Sequence, residues 1–258
     1  MQAYALTDTG RVRSMNQDYI YASPETVGSL PNLFLVSDGM GGHQAGDYAS
    51  RYAVENLVVY LTRKKEGAPV PLLSEGIREI NTGLYSESLN REELNGMGCT
   101  LVAAVVDDGI LYAANIGDSR LYLIHENEIR QVTKDHSYVE EMVALGKMVR
   151  GSADYNRRKN IITRALGIGK TVEADFFEVE LEPGDYILLC SDGLTNMVSD
   201  ERIRAVVAGS GTLKEKARRL ICEANEGGGM DNIAVVLVEP EEGGLAHVKS
   251  GNLSSGPL

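Results

Sequence analysis

The sequence predicts an α+β fold in which antiparallel sheets pack face to face with helices outside. Three observations carry this. Strand-length apolar runs follow one another closely between residues 99 and 132, joined by turns that suit antiparallel hairpins. Helical patterns come in pairs between groups of strands, not one after each strand, which argues against a doubly wound parallel sheet. No linker divides the 258 residues, and that length can bury a full core as one domain.

The elements follow in order. Ala3 to Thr7 reads as a strand, closed by the turn Asp8-Thr9-Gly10. A polar stretch, Arg11 to Asp18, precedes a second strand from Tyr19 to Ala22. Leu33 to Val36 is a short buried strand that ends at Ser37-Asp38-Gly39. Gly39, Gly41 and Gly42 let the backbone turn tightly and approach a ligand. Ala49, Tyr52, Ala53, Leu57, Val58 and Leu61 then mark a helix ending near Lys65. A second helix spans about Leu72 to Arg91.

A meander follows: Cys99 to Val106, Ile110 to Ile116, Arg120 to Ile124 and Ile129 to Val132. Its turns are Asp107-Asp108-Gly109, Gly117-Asp118-Ser119 and His125-Glu126-Asn127. Tyr138 to Leu145 reads as a helix, Gly146 to Asn160 as a polar, basic segment, and Asn160 to Leu166 and Asp175 to Leu181 as strands. Tyr186 to Cys190 runs into a second Ser-Asp-Gly, Ser191-Asp192-Gly193. Helices at Asp200 to Val207 and Leu213 to Asn225 precede the last strand, Ile233 to Val238. Residues 1–240 form the expected domain, and 241–258, polar and rich in Gly and Ser, read as a disordered tail.

Composition narrows the function. A net charge of -12 opposes binding to a phosphate backbone, so nucleic acid is not an expected partner. No apolar run approaches the ~20 residues of a membrane helix, and the first residues lack the layout of a signal peptide. Cys99, Cys190 and Cys222 stand apart within apolar segments and read as buried hydrophobes in a reducing compartment. A cytoplasmic protein is expected.

A lone Asp-Gly after a strand is usually only a turn. Its recurrence, at Asp38 and Asp192, suggests two carboxylates delivered to one place. Asp118 and Asp231 sit in similar Gly- or Asn-bearing turns at strand boundaries. Four carboxylates without cysteine or a histidine pair favour Mg²⁺ or Mn²⁺ over Zn²⁺. Two such ions about 3.5–4 Å apart can activate a water for in-line attack on phosphorus. Arg13, Asn16 and Asp18 read either as a solvated loop or as a phosphate grip (Arg13) beside a metal support (Asp18). The basic segment from Gly146 reads either as a solvated loop or as a flap over an anionic substrate.

Taken in order, Arg13-x-x-Asn16-x-Asp18, Asp38-Gly-Met-Gly-Gly-His43, Gly117-Asp-Ser-Arg120, Ser191-Asp-Gly-Leu194 and Asp231-Asn232 resemble the metal-dependent protein Ser/Thr phosphatases of type 2C. The likeness covers about residues 1–240 and is greatest to the compact bacterial members. It implies a four-layer α-β-β-α sandwich. It also implies hydrolysis of phosphoserine and phosphothreonine in proteins by a metal-bridging hydroxide, opposing Ser/Thr kinases.

By the same resemblance, two to three Mn²⁺ or Mg²⁺ are the cofactors. Asp38 would bridge two metals, with the Gly39 carbonyl completing one shell. Asp192 and Asp231 would bind the first metal, and Asp118 with Asp192 a third. Arg13 would hold the substrate phosphate, Asp18 would act through water, and Asn232 would support the ligands. Residues 146–165 would be the flap that helps choose substrates. The expected partners are phosphorylated proteins, substrates of a cytosolic-facing kinase, and a monomer is expected.

Two positions depart from the animal pattern. Met40 stands where those relatives carry a histidine proposed as general acid, and Gln17 where they carry an acid. Two alternatives come with the reading: a catalytically weak regulator on the same fold, and a two-metal hydrolase of other phosphate esters. Retention of Asp38, Asp192 and Asp231 weighs against the first, and the missing basic groove against the second.

Overall fold

The computed structural model describes residues 1–42 and 45–240; His43 and the 241–258 tail lie outside them. One sheet contains β1 (Gln2–Asp8), β11 (Ile233–Glu239), β10 (Tyr186–Cys190), β7 (Arg120–His125) and β8 (Glu128–Gln131), in that spatial order. The other contains β2 (Asp18–Ser23), β3 (Leu33–Met40), β5 (Leu101–Asp107), β6 (Ile110–Ile116) and β9 (Asp175–Glu180), with the short β4 (Gly98–Cys99) on β3. Every pairing is antiparallel.

Alternation along a strand explains the continuous apolar runs. Leu33 and Leu35 point outward to α1 (Ala45–Thr62) and α2 (Pro69–Asn90), while Phe34 and Val36 point inward to the second sheet. Across the sandwich, Val235 and Leu237 meet α6 (Asp200–Val207) and α7 (Leu213–Glu226), while Ala234, Val236 and Val238 join the inter-sheet core. Both faces of the central strands are therefore apolar. The result is the four-layer α-β-β-α sandwich. On α1, Ala49, Ala53, Leu57 and Leu61 are all fully buried, the stripe that the helical spacing predicts.

Four local readings need correction. β3 does not stop at Val36 but runs on to Met40, so Asp38 lies within a paired strand and not in a turn. Gly117-Asp118-Ser119 is not a hairpin: β6 pairs with β5 and β9, β7 with β10 and β8, and the turn crosses between sheets. Residues 160–166 form no strand. Their backbone bonds go to unrelated partners, Ile161 to Tyr138, Thr163 to His136 and Leu166 to Cys99, so no single ladder forms. Cys222 is exposed on α7, whereas Cys99 and Cys190 are buried as expected.

The basic segment 146–160 contains a short helix, α4 (Ala153–Arg158), capped by Ser152, next to α3 (Tyr138–Ala144). No helix of the described residues is long and apolar enough to cross a membrane.

Candidate active site

The register of β2 on β3 sets Asp18 directly opposite Asp38, two carboxylates on one face of the sheet. Like charges in that relation oppose pairing. Asp18 is buried, and its amide is held by Asn16 Oδ1 at 3.1 Å. The Ser191 hydroxyl donates to Asp18 Oδ2 at 2.6 Å, and the other carboxyl oxygen has no partner among the described residues. Asp192 opens a single helical turn, α5 (Asp192–Thr195), at the end of β10. Asn196 Nδ2 donates to Asp192 Oδ2 at 2.9 Å, and Oδ1 is again buried without a partner among the described residues.

Asp118 follows Gly117, which takes φ +102° where a Cβ would lie 2.5 Å from the Thr100 side chain. The Asp118 side chain is buried and its Oδ1 is unpartnered among the described residues. Asp231 stands in the loop before β11. Its Oδ1 accepts from the Asn232 amide at 2.9 Å and its Oδ2 from the half-exposed Arg13 guanidinium at 2.8 Å.

These acids act on one another. Burial, and then the charges of Asp18, Asp192, Asp118 and Asp231, push the Asp38 carboxyl well above its ordinary range. Burial raises Asp18 to about 8, with Asp192 and Asp231 adding to it against the Ser191 bond and Arg13. Asp118 rises to about 7, through burial and then Asp192 and Asp135. Asp192 rises to about 6, through burial and Asp231, opposed by Asn196 and Lys159.

The cluster thus gathers more negative charge than its protein surroundings stabilise. Three buried carboxylate oxygens without partners among the described residues, in an all-oxygen donor set, fit a hard divalent cation. Among the described residues, no three acid, histidine or cysteine groups close around one point as a finished cage. Arg13 draws Asp231, and Ser191 draws Asp18, toward protein partners. Mg²⁺-like ions need only one or two carboxylates each and keep several waters.

Supporting residues that sequence reasoning missed hold the acids in place. Thr100, fully buried, donates its amide to the Asp38 carbonyl at 2.8 Å and accepts the Asp38 amide on Oγ1 at 2.9 Å. The same hydroxyl lies 2.7 Å from that of Ser119, next to Asp118. His136 Nδ1 accepts from the Gly117 amide at 3.1 Å, and the His136 amide donates to the Gly117 carbonyl at 2.9 Å. The only sequence signal for Ser191 was the repeated Ser-Asp-Gly; Thr100 and His136 gave none.

Asn232 donates to the carbonyls of Thr9 and Met15 and accepts from the Gln17 amide, which fixes the loop bearing Arg13. Arg13 lines a shallow cleft with Ser14, Met15, Gln17 and Gly41. The Gly39 amide donates to Gln17 at 3.1 Å, joining that loop to β3. Asp18, Asp38, Asp118, Asp192 and Asp231 therefore meet at one end of the sandwich with Arg13 beside them. In the basic segment, Arg150 pairs with Glu140 and Arg157 with Asp154, while Lys159 reaches Asn196.

Residues 9–223 match the family model described as protein phosphatase 2C. The serine/threonine phosphatase stp of Listeria monocytogenes serotype 4b is 41% identical over 248 residues, 93% of this chain and 96% of that protein. Protein phosphatase PhpP of Streptococcus pneumoniae is 40% identical over 253 residues, 94% of this chain and 98% of that one. The crystal structure of serine/threonine phosphatase Stp1 from Staphylococcus aureus superposes with a TM-score of 0.87 at 34% identity, covering 93% and 95% of the two chains. The chain belongs to the protein phosphatase 2C family.

Proposed function

We propose that the carboxylate cluster is the metal centre at which this protein serine/threonine phosphatase hydrolyses phosphoserine and phosphothreonine. The observation that carries it is the set of buried, mutually repelling acids with orphaned oxygens. The family is metal-dependent. Asp38 with the Gly39 carbonyl, Asp192 and Asp231 would hold two Mn²⁺ or Mg²⁺, Asp118 with Asp192 a third, and Asp18 would act through water. When bound, such ions supply a nucleophilic water at neutral pH and offset the charge of the phosphate.

The remaining work falls to side chains. Arg13, half exposed, exchanges its bond to Asp231 for phosphate oxygens, which its planar fork matches. Asn232 keeps the Arg13 loop aligned with Asp231. Cysteine does not serve as nucleophile: burial pushes the Cys99 thiol up to about 12 and raises Cys190 as well, while the Cys222 thiol on α7 donates to Glu226, whose carboxylate raises it too. Met40 has no proton to give the leaving alkoxide.

Residues 1–240 would form the catalytic domain, with 146–165 as its flap. The substrates would be proteins phosphorylated by a cytosolic-facing Ser/Thr kinase, acted on by a cytoplasmic monomer.

Comparison of a phosphothreonine peptide with a cyclic dinucleotide tests this reading. Phosphate release from the peptide alone, in Mn²⁺, is expected, whereas turnover of the dinucleotide alone would favour a phosphodiester hydrolase. Arg13→Ala is expected to lower kcat/KM for the peptide about 10- to 100-fold, the scale of a lost charge-assisted bidentate contact. An unchanged kcat/KM would remove Arg13 from phosphate binding.

A further inference from the structure

Lys159, just past α4, sends its side chain out of the flap toward α5. Its ammonium donates to Asn196 Oδ1 at 2.5 Å. The same amide donates through Nδ2 to Asp192 Oδ2 at 2.9 Å. The Asn196 backbone is anchored separately, its amide donating to the Asp192 carbonyl at 2.8 Å. The remaining freedom of Asn196 is rotation of its side-chain amide. An ammonium has donors only, so Lys159 requires the amide oxygen and leaves the NH₂ facing the carboxylate. A flipped amide would set its oxygen against Asp192. Beside these groups lies a cavity of about 200 Å³, whose lining includes Asp118 and Asp192 together with Tyr155, Asn156 and Lys159 of the flap.

We propose that Lys159 is a positioning residue for Asp192, acting through Asn196, so that flap placement and carboxylate placement are set together. The inference rests on the reading of Asp192 as a metal-holding residue. It adds that the flap, assigned to substrate choice, also bears on metal affinity.

The test is calorimetric titration of the metal-free full chain with Mn²⁺, without substrate. Lys159→Ala is expected to weaken Mn²⁺ binding about fivefold, the scale of one lost hydrogen bond to a charged group. Lys159→Arg, which still donates, is expected to stay within about twofold of wild type. Asn196→Ala should weaken binding as much as Lys159→Ala does, and the double variant no further, because both remove one relay. A role confined to flap folding would not move substrate-free affinity and would not be absorbed by Asn196→Ala. Wild-type affinity in Lys159→Ala, or losses that multiply in the double variant, would overturn the proposal while Asp192→Ala still loses binding. Unchanged binding in Asp192→Ala would overturn the metal-site reading itself, and this inference with it.

Discussion

Asp38→Asn is expected to reduce phosphate release at least about 10³-fold while making the metal-free protein more resistant to heat. The amide keeps the shape of the side chain and removes an ionisable carboxyl whose charge is disfavoured by burial and by Asp18, Asp192, Asp118 and Asp231. Relief of about 1 kcal/mol of burial cost and like-charge repulsion corresponds to a rise of about 2–4 °C in Tm for a chain of this size. Melting both proteins in chelator checks this. A Tm below wild type would mean that the carboxylate is held for stability and not for chemistry.

The same charges fix the sign of a pH dependence. Asp18, Asp118 and Asp192 are raised from an ordinary value of 3.8 to about 8, 7 and 6. Between those limits the folded state binds more protons than the unfolded one, so stability falls as pH rises. Metal-free wild type should melt lower at pH 8 than at pH 5.5, and Asp38→Asn should show a shallower decline. A wild-type Tm that is higher at pH 8 in chelator would contradict the charge assignment.

Gly39→Ala is expected to damage the fold severely. A Cβ there would lie 2.0 Å from the Gly46 carbonyl oxygen and 2.8 Å from that of Gln17, both backbone atoms. Neither can yield without moving the start of α1 or the loop that carries Arg13. Overpacking against fixed backbone should cost more than about 3 kcal/mol, read as a large fall in Tm or loss of soluble protein. Gly42→Ala is the control, since nothing among the described residues lies within 4 Å of its Cβ position, and it should melt like wild type.

Much of this was legible in the chain. The apolar runs at 33–36, 99–106 and 233–238 gave central strands because both their faces are covered, and the helix pairs gave the outer layers. Asp38, Asp118, Asp192 and Asp231 could be named because each sits beside glycine or asparagine near a strand end, and Asp18 because it follows Arg13 and Asn16 in one polar stretch. How each acid is presented was not legible. Asp38 and Asp192 share the letters Ser-Asp-Gly, yet one lies inside β3 and the other starts α5. That difference is decided by long-range pairing, of Asp38 with Asp18 and of Gly39 with Cys99. Residues 160–166 look like a strand by composition but find three separate partners. Thr100, Ser191 and Asn196 are ordinary polar residues until the fold sets them against the acids.

The most direct measurement of the central claim is phosphate release from a phosphothreonine peptide by metal-free protein as Mn²⁺ is added, with Asp192→Ala alongside. The account predicts no release in chelator, release that rises and saturates with Mn²⁺, and none from Asp192→Ala at any Mn²⁺ concentration although it melts as a folded protein. Release that survives chelator, or wild-type turnover by Asp192→Ala, would contradict it.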